Sequence, residues 1–217
     1  ESGDSNGKIS LFDLMNGKKN IDGIKTDLNY EKIAYTLCRG GWPNSIHLDP
    51  KQALQIPKNY LDVLCESDIS KVDGVKRDPE LMRTILRAYA RQVSTIDSDK
   101  SMLADIKANY ADVSDVTILN YLKVLKRLYI IEEIQAWNPN IRSKTSIRTS
   151  PKKSFVDPSL AVCALGCSLK ELMLDINTFG LLFENLVNRD LSIYARKNGG
   201  ILKHYRDRYG LECDNII

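Results

Sequence analysis

Two acidic side chains raise the first chemical question. Glu184 falls in a segment with helical spacing, and Asp214 follows thirty residues later on the second arm of a strand-turn-strand pattern. Carboxylates placed in this way on a helix and a strand can hold Mg2+, a hard cation that takes oxygen ligands. A phosphodiester-cleaving centre of that kind adds a further strand with an E-x-K pair, whose lysine steadies the attacking water or the developing charge. Neither acid is specific alone. Glu184 also reads as a solvated helix residue, although no Lys or Arg lies three or four positions away to pair with it. Asp214, beside Glu212, also reads as part of an exposed strand face.

A second constellation is cationic. From position 135 to 156 the chain carries Arg142, Lys144, Arg148, Lys152 and Lys153 without one Asp or Glu, and the preceding helical segment adds Lys123, Lys126 and Arg127. A phosphate backbone asks for a one-signed surface of this kind, and a polar hairpin can present it to a groove. A solvated hairpin or a protein-docking module reads from the same residues. The formal net charge of +3 identifies no partner, and only this local clustering points to one. A third stretch, Gly3-Asp4-Ser5-Asn6-Gly7-Lys8, fails as a phosphate loop. Its glycines are too close, Ile9 stands where a hydroxyl would hold Mg2+, and Asp4 would repel an anion.

These residues need elements to position them. Helical spacing predicts helices over 29–38, 57–66 and 78–92, the last with Leu81, Ile85, Leu86 and Tyr89 on one face, and Gly40-Gly41-Trp42-Pro43-Asn44 breaks the first. A helix over 97–110, a polar break, and a helix capped by Ser114 with Ile118, Leu122, Leu125 and Leu128 in one stripe follow the helix-turn-helix plan. The run Leu128-Tyr129-Ile130-Ile131, a stretch to about Ile147 and Ser154-Phe155-Val156 predict strands of a wing. A helix after Asp157-Pro158 runs through Ala164, and a longer one over 175–196 is expected to turn Phe179, Leu182, Phe183, Leu186 and Val187 inward. Two strands, 201–206 and 211–217, close the chain.

The 217 residues, 43% hydrophobic and 27% charged, have a globular balance, and no apolar run approaches the roughly 18 residues of a membrane span. No membrane partner is expected. Five scattered cysteines (Cys38, Cys65, Cys163, Cys167 and Cys213) suggest neither a disulfide framework nor a zinc knuckle, which points to a reducing, cytoplasmic compartment. The chain opens without Met and stops inside a predicted strand, so the expectation is that it continues in a longer protein.

Several strings, in order, resemble one family. Glu1-Ser2-Gly3, Ser10-Leu11-Phe12-Asp13-Leu14, Cys38-Arg39-Gly40-Gly41-Trp42-Pro43, Ala90-Arg91-Gln92-Val93-Ser94-Thr95, Ala136-Trp137-Asn138-Pro139, Arg148-Thr149-Ser150-Pro151-Lys152, Phe155-Val156-Asp157-Pro158, and Tyr205-Arg206-Asp207 with Gly210-Leu211-Glu212-Cys213-Asp214 are similar to the part that follows the catalytic core in bacterial and archaeal AAA+-like ATPases. Such proteins join a Walker-motif core, a winged helix and a C-terminal domain resembling PD-(D/E)XK nucleases. The resemblance implies a mainly α chain with a small α+β part, divided as a helical lid-like segment (1–95), a winged helix (96–156) and the truncated start of a nuclease-like unit (157–217). It makes Glu184 the helix acid and Asp214 the strand acid and metal ligand of an incomplete site, with the E-x-K strand beyond Ile217. Cys213 and Asn215 depart from the small apolar residues usual there. ATP and Mg2+ belong to the intact protein; this chain has no Walker motif and binds no cofactor itself. The expected function is nucleic-acid binding, with DNA as the partner and Lys123, Lys126, Arg127, Arg142, Lys144, Arg148 and Lys152 as its contacts. The alternative is a regulatory module docking the ATPase core or another subunit.

Overall fold

The computed structural model describes residues 3–18, 25–140, 142, 149–207 and 209–217. The chain is mainly helical with two small antiparallel sheets. Helices α1 (Leu11–Met15), α2 (Tyr30–Arg39), α3 (Pro50–Ala53), α4 (Gln55–Val63) and α5 (Ile69–Lys71) come first, with a widened helical turn at Leu64–Asp68. Then come α6 (Pro79–Arg91), α7 (Asp99–Lys107) and α8 (Asp115–Arg127), followed by strands β1 (Ile131–Ile134) and β2 (Lys152–Phe155). Helices α9 (Pro158–Leu165), α10 (Leu169–Leu174) and α11 (Ile176–Lys197) lead to β3 (Lys203–Arg206) and β4 (Glu212–Ile216). No helix among the described residues is long and apolar enough to cross a membrane.

Side-chain caps explain why the helices begin where they do. Asn29 accepts from the Lys32 N–H at 2.9 Å to start α2, and Ser114 accepts from the Thr117 N–H at 3.1 Å to start α8. Helix α10 lies outside the sequence reading, although Ser168-Leu169-Lys170-Glu171 is a capping box with both reciprocal bonds formed. The expected strand Leu128-Tyr129-Ile130-Ile131 starts only at Ile131. Tyr129 takes a left-handed φ of 55° and the Ile130 N–H donates to the Leu125 carbonyl at 3.0 Å, so the first three residues close α8 instead. The expected strand running to Ile147 falls mostly outside the described residues.

Strand β2 pairs with β1 from Ile131 opposite Phe155 to Ile134 opposite Lys152. Its other edge meets the turn after α6, where Ser94 has a left-handed φ of 60°: the Ser94 N–H donates to the Lys153 carbonyl at 2.8 Å, and the Lys153 N–H donates to the Thr95 carbonyl at 3.0 Å. Strands β3 and β4 form the second sheet, and β3 reaches back to the segment after β1 through the Trp137 N–H on the His204 carbonyl at 2.6 Å.

The buried apolar side chains form one cluster that runs from Ala34 on α2 to Leu182 on α11, across positions 95 and 156 without a break. Helix α9 sits at its middle and packs against α2, α4, α6 and α11. Each fully buried Leu or Ile there contributes about 1.5–3 kcal/mol relative to exposure. Asp157 caps α9 and also accepts from the Gly41 N–H at 2.8 Å and from Arg189 Nη1 at 2.8 Å, tying the turn after α2 and helix α11 to one carboxylate. A Cβ at Gly40, whose φ is +74°, would stand 2.4 Å from Ser159 Oγ, which explains the glycine at this approach.

On α11 the inward face differs from the expected one. Phe179 and Leu182 are buried, but Phe183 is 40% exposed and the buried stripe continues through Asn185, Asn188, Ser192 and Ala195. Asn185 is tolerated there because the helix lies across β2. Asn185 accepts from the Phe155 N–H at 3.2 Å and donates to the Phe155 carbonyl and to Ser154 Oγ, each at 2.8 Å.

Candidate functional site

The Asn185 clamp fixes Glu184, its neighbour on α11, beside the start of β2. Lys152 meets it there. The ammonium of Lys152 donates to Glu184 Oε1 at 2.7 Å and to Asp214 Oδ1, on β4, at 2.9 Å. The two acids singled out in the sequence therefore converge, and the group that joins them is a lysine expected on an exposed wing. Lys152 is 1% exposed, Glu184 22% and Asp214 54%, so the centre is sealed on the β2 side and open at β4.

Burial and charge act against each other here. Burial alone pulls the Lys152 ammonium down, and its hydrogen bonds to Glu184 and Asp214 outweigh that and raise its pKa. Burial pushes the Glu184 carboxyl up, against the hydrogen bond from Lys152. His204, on β3, is 1% exposed, and burial followed by the Lys152 charge lowers its pKa, which keeps the imidazole neutral. Among the described residues neither ring nitrogen of His204 has a partner in hydrogen-bond geometry, although the Ser150 backbone lies near enough to favour the protonated ring. Asn188 lies near enough to Glu184 to favour its ionised form, but its amide stays outside hydrogen-bond geometry.

Glu184 and Asp214 offer the hard oxygen donors Mg2+ prefers, yet the arrangement does not fit the ion. The Lys152 ammonium stands between the two carboxylates at hydrogen-bond distance from both, where a divalent ion would bind. Among the described residues no group of three or more His, Cys, Asp or Glu could hold a metal.

The second candidate is the outward face of α8. Thr117, Asn120, Lys123 and Arg127 project along one side of the helix into a cleft of about 580 Å³, whose opposite wall is the loop that carries Lys76. Asp73 and Arg77, on that loop, neutralise each other through two hydrogen bonds of 2.7 Å. The Arg77 hydrogen bonds hold the Asp73 carboxyl down at about 2. The Tyr121 hydroxyl accepts from the Asp78 N–H at 2.9 Å and anchors the loop to α8.

The expected cationic contacts therefore separate. Lys123 and Arg127 are exposed and line the cleft. Lys126 is exposed but bonded to Glu133 at 2.5 Å. Arg142 is exposed, whereas Lys144 and Arg148 lie outside the described residues. Lys152 is buried in the carboxylate centre, which corrects its expected exposure. Its neighbour Lys153 is also buried and donates to the Asp97 carbonyl, with Asp99 Oδ1 at 3.4 Å. Alternation along β2 sends these two lysines to opposite faces, each toward acids or a carbonyl of another element. Sequence reading missed Lys76, although the consecutive Lys76-Arg77 pair between two predicted helices was a visible signal.

A family model described as Domain of unknown function (DUF8612) matches residues 30–171, more than half of the chain. The match spans α2 to the start of α10, so it takes in the α8 face and Lys152 but neither Glu184 nor Asp214. No curated protein and no solved structure matches the chain.

Proposed function

The chain belongs to that family, whose description names no activity, and from this premise we propose that it is a nucleic-acid-binding module with α8 as the reading helix. The observation that carries the proposal is the stripe Thr117, Asn120, Lys123 and Arg127 facing Lys76 across an open cleft. Two side chains able to hydrogen-bond base edges sit beside three cations able to meet phosphates, which is how positioning and reading contacts divide on a recognition helix.

The surrounding topology supports a winged helix. Helix α6, the Ser94–Thr95 stretch against β2, α7, α8 and the β1–β2 hairpin follow one another in the order that plan requires. On this reading α6 belongs to the winged helix, and the wing is the segment between β1 and β2 that carries Arg142. The earlier helices act as a lid-like segment and the last two strands as the start of a nuclease-like unit in a larger AAA+-type protein. ATP and Mg2+ would act at a nucleotide core distinct from this chain's own residues.

Fluorescence anisotropy with labelled duplex and single-stranded DNA across a salt series tests the reading. Binding should weaken with a log-log slope of about −3 to −5 as neutralised phosphates regain counterions. Absence of binding even at low salt would sink it. A second reading, a docking module for an ATPase core or another subunit, is favoured by Val116 and Leu119, apolar and exposed on the same helix. Apolar docking predicts association that persists in high salt.

A further inference from the structure

The acids Glu184 and Asp214 converge as the ligands of a bound cation would, yet the cation between them belongs to the chain. Lys152 arrives from β2, a strand held on one edge by β1, on the other by Ser94–Thr95, and by the Asn185 amide across its end. Its Nζ reaches Glu184 Oε1 at 2.7 Å and Asp214 Oδ1 at 2.9 Å, both within the range of charge-assisted hydrogen bonds. We propose that Lys152 is the resident cation of this centre: its ammonium fills the position between Glu184 and Asp214, holds β4 against α11, and closes the pair to divalent metal ions.

Three observations carry this. The first is position, since one nitrogen bonds both carboxylates and a metal ion bridging the same oxygens would lie against a fixed positive charge. The second is confinement. Lys152 is 1% exposed on a strand paired along both edges, so its ammonium has no solvent-facing site to withdraw to. The third is the donor set: Mg2+ demands near-octahedral oxygen coordination, and the two carboxylates already spend one oxygen each on the ammonium. The role is independent of whether α8 meets a nucleic acid. It makes Lys152 a positioning residue, through which elements far apart in sequence share one charge cluster.

Mn2+ titration followed by electron paramagnetic resonance tests the proposal on the full chain and on Lys152→Met, with folding checked by circular dichroism. The native chain should show no Mn2+ site at millimolar ion, whereas K152M should bind at least about tenfold tighter once the competing charge is gone. Adding Glu184→Gln to K152M should abolish the gained site. Native binding as tight as that of K152M, lost on Glu184→Gln, would overturn the proposal by showing that metal and ammonium coexist. K152M binding no better than the native chain would overturn it too, because the emptied pair would then be no cation position.

A measurement without variants covers the case in which K152M fails to fold. Lysine acylation of the native chain, read by mass spectrometry, should modify exposed Lys123 and Lys76 and spare Lys152, with or without saturating Mn2+. Acylation of Lys152 that rises with Mn2+ would show the ion displacing the ammonium and would refute the assignment.

Discussion

The outward face of α8 and the centre around Lys152 use the same residue types to opposite ends. On α8, Lys123 and Arg127 stand in solvent beside Lys76, and among the described residues none of the three forms an ion pair. At the start of β2, Lys152 is enclosed and spends its charge on Glu184 and Asp214. An exposed ammonium keeps its hydration and remains available to a partner's phosphates, while an enclosed one must be compensated inside the protein. A cation on this chain thus stays available to a partner where no acid of another element bonds it.

Removing the enclosed charge should have the largest effect. Lys152→Met leaves two carboxylates facing each other, Glu184 largely out of water, and should lower unfolding stability by about 3 kcal/mol in urea titration. The matching change on the open face, Lys123→Met, should stay within about 0.5 kcal/mol. Equal losses at the two positions would show that burial does not separate them.

Reversing the open cations should have the complementary effect. Lys123→Glu with Arg127→Glu is expected to lower duplex DNA affinity more than about tenfold and to reduce the salt slope by about 2. Thermal unfolding should hardly move. Unchanged affinity in this double variant would remove α8 as the reading helix.

A smaller effect separates the regions by pH. Burial holds the His204 pKa below its ordinary 6.5, so the unfolded chain takes up that proton first as pH falls. The contribution of His204 is therefore fully present above pH 6.5 and is lost as pH falls toward the depressed folded value. His204→Gln should flatten that part of a stability profile, and a profile that stays steep there would assign the dependence to another group.

The smallest effect is expected for a pair that belongs to neither class. Lys126 and Glu133 are bonded at 2.5 Å near the surface, and Glu133→Gln should cost less than about 0.5 kcal/mol because solvent screens the pair. A larger loss would place Lys126 with the structural lysines.

Much of the fold could be read from local chemistry. Ser114 as a cap, the apolar stripe Ile118, Leu122 and Leu125, the stripe on α6 and the Gly40-Gly41 break all appear where spacing placed them, because helix starts and buried faces are set within a few residues. Helix α10 is equally legible in its capping box. The Leu128–Ile130 run misled because β-branched and aromatic residues mark strands statistically, while the left-handed turn at Tyr129 depends on how α8 ends.

Local spacing accounts for a mainly helical chain, the approximate reach of its longer helices, and which acids and cations are candidates for chemistry. Which of those charges are free depends on how the elements pack. Lys152, Glu184 and Asp214 lie 32 and 62 residues apart along the chain, measured from the lysine, beyond any helical or strand period. Their meeting depends on α11 crossing β2 at Asn185 and on β3 joining the segment after β1, and no local spacing records either contact. Charge in a sequence gives the amount available; burial and partner geometry determine what remains for a ligand.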